Sequence, residues 1–450
     1  MKRFAKACMR RYLKPWLIDT FIRNVALLAS GTMISQLIIL ITLPLLTRLY
    51  TPAEYGAYSM YISVIGMLLM LVSCAYENAI TLPEDDRTAS AVTGLSLLIC
   101  AGVSLASGLT MALLQKPLAA WLPGLPQYYM LFALSLLGVG SYQILSCWSI
   151  RKKYFRQLAR TKYTQSLGQV SSQLALSLTH LGPLGLIAGD IIGRSGGLIP
   201  QWRLWLSDMR RQAIRLDWSS LKDAARRYRR FPQLSLVSNI LNSVCIYLPT
   251  VLLASFYGAQ MAGLFALGQR ILGSPMTLIM TSVRNVYLAE SSEYITSDPA
   301  RLVPLFRKTA LHVLAAGLLI VAVFVGIAPY AFSFLFGEQW RQSADLIRLM
   351  SVMYLSQFVA NSVGTTIDVM ERQDLHLLRE VVRTFIILGA LLAAGYTHQS
   401  AETAVLMFSA ASTLGYLLHL GLSWHAIRKY GKGAGERGTQ RQASHALTEE

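Results

Sequence analysis

Residues 309–336 read TALHVLAAGLLIVAVFVGIAPYAFSFLF. No charged side chain interrupts these 28 positions, and an α-helix needs about 20 mostly apolar residues to cross the hydrocarbon of a bilayer. Outward from this stretch the same pattern recurs. Twelve spans can be placed, at 24–47, 56–80, 88–114, 127–150, 160–180, 182–206, 232–257, 260–288, 309–336, 342–369, 375–397 and 400–427. Composition agrees with them. In 450 residues the apolar set makes up 54% and charged residues 14%, against about 25% charged in a soluble domain. Mean hydropathy is +0.44. A disordered chain, a soluble enzyme with an ordinary polar surface and a coiled coil are excluded, and an all-α integral membrane protein is expected.

The breaks between spans carry turn chemistry, as in Tyr50-Thr51-Pro52, Pro123-Gly124, Gly182-Pro183 and Gly337-Glu338. Orientation follows from the loops. The chain holds 41 Lys and Arg against 23 Asp and Glu, a net charge of +18, and such an excess collects on the cytoplasmic side. With the N-terminus inside, the basic start (MKRFAKACMRRYLKPW), Arg151 to Arg160, the run from Arg210 to Arg230, and Arg428 with Lys429 and Lys432 all fall inside. Arg48, Lys116 and Arg341 remain outside. Both termini are then cytoplasmic. The acidic turn Leu82 to Arg87 also falls inside, where Asp85 and Asp86 are expected to form a solvated turn. The organisation expected is a basic tail at 1–23, a six-helix bundle at 24–206, a basic connector at 207–231, a second six-helix bundle at 232–428 and a mobile tail at 429–450. The N-terminal segment also interleaves aromatic and basic residues in the manner of a helix lying on a membrane surface. The arginines of the connector are explained by orientation and attraction to anionic lipid, and no nucleic acid is expected as a partner.

Residues 51–60, TPAEYGAYSM, and 258–267, GAQMAGLFAL, are related, with Gly56 equivalent to Gly263. The repeat is offset by six spans, an even number, so the two halves are parallel repeats about an axis along the membrane normal. That is a transporter plan, with a cleft between the bundles.

Residues 44–56, PLLTRLYTPAEYG, resemble the first-span signature of bacterial polysaccharide flippases. These are the Wzx-type, polysaccharide-transporter branch of the multidrug/oligosaccharidyl-lipid/polysaccharide exporter superfamily. The resemblance continues at 76–80 (YENAI), 182–187 (GPLGLI), 262–275 (AGLFALGQRILGSP) and 336–340 (FGEQW), within residues 24–428. It implies a MATE-like fold in the inner membrane. The implied activity is flipping of undecaprenyl-pyrophosphate-linked oligosaccharide repeat units for lipopolysaccharide, O-antigen or exopolysaccharide biosynthesis. A polysaccharide polymerase and a chain-length regulator are the candidate protein partners.

Ionisable groups at membrane depth are costly and mark candidate sites. Arg270, near the middle of the eighth span, suits bidentate contact with a pyrophosphate, and a structural ion pair is the competing reading. Asp190 and Arg194 lie one turn apart, as a self-neutralising pair or as a switch in which protonated Asp190 releases Arg194 to substrate. Glu77 and Arg284 each lie 21 residues past their repeat glycine, so they form a candidate gate pair or snorkel to the interface. Gln36, Asn239 and Asn361 are candidates for sugar contacts or for hydrogen bonds between helices. Asp368, Arg379, Glu380 and Arg383 are expected to pair among themselves, and His312 and His419 to be packed. Arg48 is expected to anchor the first external turn. Five cysteines show no Cys-x-x-Cys or Cys/His spacing, so no metal or disulfide framework is expected. No phosphate-binding loop, nucleophile elbow or His-Glu-x-x-His occurs, so no catalytic residues and no cofactor are assigned. Two alternatives stay open. A cation-coupled multidrug exporter on the same scaffold would prefer a carboxylate-lined cavity. A membrane-embedded glycan polymerase or glycosyltransferase would need a large external loop, and every outside loop here is short.

Overall fold

The computed structural model describes Leu27, 30–122, 124–214, 216–370 and 372–446. The basic N-terminal segment, Arg215 and Glu371 therefore lie outside the described residues. Among the described residues there is no strand. The described α-helices, in chain order, are α1 (Ser30–Leu49), α2 (Pro52–Leu69), α3 (Asp86–Leu113), α4 (Gln115–Trp121), α5 (Tyr129–Arg151), α6 (Phe155–Ser177), α7 (Pro183–Ser195) and α8 (Leu198–Arg211). They continue with α9 (Trp218–Arg227), α10 (Leu236–Ser297), α11 (Leu302–Phe336), α12 (Arg341–Val363), α13 (Thr366–Val369), α14 (Gln373–Tyr396) and α15 (Ala401–Ala446). Seven helical stretches are long and apolar enough to cross a membrane by length and composition. One of these, Asn239–Ile295, contains a break at Gly258 (φ 87°, ψ 165°) and so holds two of the expected spans. Large apolar side chains such as Leu105, Leu113, Leu319, Phe334 and Phe385 point outward. Large apolar side chains exposed in this way need lipid rather than water around them. The chain is a multi-pass membrane protein.

Element boundaries follow local chemistry. At the start of α2, Thr51 Oγ1 accepts from Glu54 N (3.3 Å) while Thr51 N donates to Glu54 Oε2 (2.8 Å), a reciprocal cap with Pro52 at the first helical position. Asp85 caps α3 by accepting from Thr88 N (2.6 Å). Gly182 (φ 59°) and Pro183 open α7, and Gly337 (φ 100°) ends α11. In the apolar α3, the hydroxyls of Thr93 and Ser96 donate to the carbonyls one turn back, at 2.9 and 2.8 Å, so they need no water.

Three expected spans are not single helices, and one of them, 342–369, breaks at Gly364-Thr365 between α12 and α13. The stretch 182–206 breaks at Gly196-Gly197 into α7 and α8. A Cβ on Gly197 would lie 2.5 Å from the Tyr142 ring, so the close approach requires glycine there. The stretch 56–80 leaves the α-helix after Leu69, passes through left-handed Cys74 (φ 50°) and Ala75 (φ 63°), and ends in a 3₁₀ turn at Tyr76–Ala79. This irregular backbone is buried, with Ser73, Ala75, Ala79 and Ile80 almost without exposure, which is where non-helical chain can lie within a membrane protein. Helix α15 continues beyond 427, the expected end of the last span, to Ala446.

The chain divides into two compact units. The described residues up to Tyr50 join Val64–Ile240 in the first, and Thr51–Ser63 join the described residues from Leu241 onward in the second. In the second unit the repeat becomes a physical contact. A Cβ on Gly56 would lie 1.7 Å from the Ala259 carbonyl oxygen, and a Cβ on Gly263 would lie 1.9 Å from the Pro52 carbonyl oxygen. Residues 52 and 56 thus meet 263 and 259 reciprocally, through the one offset that relates them in sequence. The same offset carries the break before Pro52, at Thr51, onto the break at Gly258.

At one end of the first unit the acidic turn at 82–87 is tied to two basic loops. Asp86 pairs with Arg151 (3.2 Å) and with Lys152, and accepts from Gln212 Nε2 (2.7 Å). Arg151 also donates to the Glu84 carbonyl (3.2 Å), and Tyr76 Oη donates to the Ala225 carbonyl (3.1 Å). The acidic turn is therefore not a solvated one at Asp86. Its carboxyl is partly buried and clamped. Burial pushes that carboxyl up, but hydrogen bonds from Lys152, Gln212 and Arg151 outweigh burial and hold it below the usual aspartate range.

Candidate functional site

In the first unit the polar residues gather on α6. Its sequence, FRQLARTKYTQSLGQVSSQLALS, is too polar to stand among the seven apolar stretches, yet it packs along α7. Gly193 and Gly189 make that packing possible, since a Cβ on either would lie within 2.8 Å of the backbone at Gln169 or Gln173. The close approach brings Gln169 Nε2 to Asp190 Oδ1 (3.0 Å). Asp190 Oδ2 meets Arg194 Nη1 at 3.4 Å, and the Arg194 carbonyl accepts from Gln165 Nε2 (2.6 Å). Asp190 is buried and Arg194 is one-third exposed. One turn away, the Lys162 ammonium lies 5.7 Å above the Tyr142 ring, whose hydroxyl bonds the Thr161 hydroxyl at 3.0 Å. Ser166 bonds Ser35 on α1. Sequence reading found Asp190 and Arg194 but missed Lys162, Gln165 and Gln169. Their spacing along one face of α6 was the available signal.

In the second unit Arg270 lies on the second segment of α10, half-buried. Its Nη1 donates to Tyr55 Oη at 3.3 Å. Tyr55 is buried, with its ring edge-on to Trp340 (centroids 5.6 Å) and to Tyr58 (5.8 Å). The sequence motifs at 55–56, 268–270 and 340 therefore converge, and Tyr354 Oη ties α12 to the Gln269 carbonyl at 3.3 Å. A further cluster joins α14 to α15. Glu380, which is buried, pairs with Arg379 and lies 3.7 Å from Arg383. Arg383 also donates to Tyr416 Oη (3.2 Å) with its guanidinium over the same ring (4.9 Å). Arg379 Nη1 approaches both ring nitrogens of the buried His419, at 3.0 and 2.9 Å. The expected pairing of 379, 380 and 383 is present, and the side chain of Asp368 lies outside the described residues.

Residues 45–345 match the family described as polysaccharide biosynthesis protein. The chain belongs to that family. Two relatives carry the same theme. The succinoglycan biosynthesis transport protein ExoT of Rhizobium meliloti (strain 1021) is 24% identical over 69% of this chain and 62% of its own length. The amylovoran biosynthesis protein AmsL of Erwinia amylovora is 22% identical over 69% of this chain and 79% of its own. The chain thus spans under two thirds of ExoT. Among solved structures, the lipid II flippase MurJ in an inward closed conformation superposes with a TM-score of 0.69, at 12% identity over 90% of each chain. A multidrug resistance MATE family transporter of the MOP superfamily, in an inward-facing conformation, gives 0.63 at 14% identity, over 90% of this chain and 94% of the other. These likenesses show the fold, which is MATE-like.

The remaining sequence candidates are dispersed. Gln36 on α1, Asn239 on α10 and Asn361 on α12 are half-buried. Glu77 is buried in the first unit, where Ser73 Oγ donates to its carboxylate. Arg284 is exposed in the second unit. Among the described residues no group of three or more His, Cys, Asp or Glu is arranged to hold a metal.

Proposed function

We propose that this protein is an inner-membrane flippase for lipid-linked oligosaccharide, moving undecaprenyl-pyrophosphate-linked repeat units by alternating access, with both termini cytoplasmic. The observation that carries the reading is the sign of the charge at membrane depth. In one unit Lys162 and Arg194 stand with two buried carboxylates, Asp190 and Glu77, and in the other Arg270, Arg379 and Arg383 stand with one, Glu380, so five cations accompany three carboxylates. An excess of cations inside a membrane protein suits an anionic cargo. A multidrug exporter for cationic compounds would need the opposite balance. Family membership supports a glycan cargo, and the short external loops leave no room for a polymerase site. Arg270 is the first residue assigned to the pyrophosphate, oriented by Tyr55, and Arg194 is the second. Asp190 competes for Arg194, so its protonation state sets how available that guanidinium is. Gln36, Asn239 and Asn361 are assigned to the sugar.

The test is a deletion strain assayed for surface polysaccharide and for accumulated undecaprenyl-linked intermediates, complemented in parallel with the wild type and with Arg270→Ala. The reading expects loss of surface glycan, accumulation of the lipid-linked precursor and no rescue by Arg270→Ala at equal membrane level. Normal glycan in the deletion strain overturns the function, and full rescue by Arg270→Ala removes that residue from the mechanism.

A further inference from the structure

A cavity of about 850 Å³ lies entirely within the first unit, between the start of α1 and the start of α6, with Leu204 of α8 at its side. Helices α1 and α6 cross closely beside it, because a Cβ on Gly31 would lie 2.9 Å from the Ala159 backbone. Its charged lining is Lys153, Arg156 and Arg160, and among the described residues no carboxylate lines it. Arg156 and Arg160 lie one turn apart on a single face of α6, with Tyr163 next along that face. The neighbouring cations are treated differently. Arg151 and Lys152 are both bound to Asp86, and Arg194 to Asp190. Among the described residues, none of Lys153, Arg156 and Arg160 has a carboxylate within ion-pair distance. Three like charges gathered around one hollow repel each other and leave the site ready for an anion.

The apolar side of the cavity continues in one direction. Leu27, Ile34 and Leu204 form its apolar wall. From Ile34 an exposed stripe runs up α1 through Leu37, Ile41 and Leu45, at the spacing of one helix face. A basic hollow opening onto an exposed apolar track matches a molecule with an anionic head and a long hydrocarbon tail. Guanidinium pairs are suited to phosphate oxygens, which accept from both forks at once.

We propose that this cavity is a docking subsite for the diphosphate head of a polyprenyl-linked glycan, with the isoprenoid tail laid along α1. It rests on the flippase reading and adds to it a holding site distinct from Arg270. Lys153, Arg156 and Arg160 grip the diphosphate, while Ile34, Leu37 and Ile41 take the first isoprene units.

The experiment uses the full chain in phosphatidylcholine nanodiscs, with undecaprenyl diphosphate as the probe and native mass spectrometry as the readout. Wild type is expected to retain the lipid. The triple variant Lys153→Ala, Arg156→Ala, Arg160→Ala is expected to bind at least tenfold more weakly. A control losing equal charge on and beside α9 (Lys222→Ala, Arg226→Ala, Arg229→Ala) is expected to stay within twofold of wild type. If the triple variant does not insert, Arg160→Gln alone carries the test, with at least a threefold loss expected. Binding by the triple variant within twofold of wild type, or equal loss in the control, overturns the site. Displacement of the lipid by equimolar inorganic diphosphate or phosphatidylglycerol overturns the polyprenyl assignment, reassigning the hollow to free diphosphate or to bulk anionic lipid. The two proposals fail separately. If deletion of the gene abolishes glycan display and the triple variant restores it fully, the subsite falls and the flippase reading stands. If deletion leaves display intact, the flippase reading falls whatever the nanodisc result.

Discussion

A methyl group added at Gly56 would meet the Ala259 carbonyl oxygen at 1.7 Å, and one added at Gly263 would meet the Pro52 carbonyl oxygen at 1.9 Å. A carbon and a carbonyl oxygen in contact sit at about 3.3 Å or more, so either substitution must part α2 and α10 by about 1.5 Å. Both obstacles are backbone, and neither can swing away. A gap of that size forfeits much of the dispersion attraction across the crossing, and overpacking of this kind costs about 1–3 kcal/mol. Replacing glycine by alanine within a helix returns about 0.5–1 kcal/mol. Each single variant, Gly56→Ala or Gly263→Ala, should therefore be destabilised by about 1–2 kcal/mol. Because the clash is reciprocal, the second methyl enters a gap the first has already opened. The double variant should be scarcely worse than the worse single, with a coupling of about 1 kcal/mol or more. The assay is the heat-induced loss of the monodisperse peak in size-exclusion chromatography, with all variants purified in one detergent. Gly102→Ala is the internal control, since a Cβ there meets nothing within 4 Å, and it should be neutral or slightly stabilising. Single variants that melt with the wild type, or a double variant whose loss equals the sum of the singles, would refute the reciprocal crossing.

Three other outcomes are expected. Asp86 has its carboxyl held below the usual range, with hydrogen bonds from Lys152, Gln212 and Arg151 outweighing its burial. Its contribution to stability is thus present above the ordinary aspartate value of about 3.9 and lost as pH falls through its lower folded-state value. Wild type should melt above Asp86→Asn at pH 7, and melts across pH 3–8 should show the two converging below about pH 4. Glu380→Gln removes the carboxylate that Arg379 and Arg383 share in a buried setting, a change that costs about 3–5 kcal/mol in comparable sites. The yield of folded protein should fall sharply, and an unchanged melt would show the cluster to be hydrated. Finally, Glu77→Lys should depress glycan display more than the exchange of Glu77 and Arg284 together, and an exchange that rescues nothing removes support for a gate pair.

The helix starts and the repeat were legible because they depend on neighbours in sequence. Thr51-Pro52-Ala53-Glu54 spells its own cap, and the glycines at 56 and 263 announced a symmetry that the structure shows as a contact. Long-range hydrogen bonding was not legible. Asp86 reads as one more turn aspartate, and only the fold brings Arg151, Lys152 and Gln212 around it. Likewise 182–206 has the composition of one span. Glycine at 197 is required by the Tyr142 ring, which lies more than fifty residues away in sequence.

Helix α6 shows where apolarity fails as a guide and why that failure points to function. A helix carrying Lys162, Gln165, Ser166, Gln169 and Gln173 cannot present those groups to hydrocarbon. Here Gln165, Gln169 and Gln173 are spent on the Arg194 carbonyl, the Asp190 carboxylate and the Leu186 carbonyl, and Ser166 on Ser35. Nearly every polar side chain on that face thus serves a neighbouring helix. Lys162 is the departure, a cation whose observed neighbour is the face of Tyr142, a contact far weaker than an ion pair. A chain built only to span would have no use for that charge, and a chain that passes phosphate heads through its interior would. On the proposed function, Lys162 belongs with Arg194 among the groups that meet the cargo. Lys162→Met, which keeps the length and removes the charge, should then lower glycan display while leaving the heat-induced transition in place. A variant that displays glycan normally would confine Lys162 to packing against Tyr142.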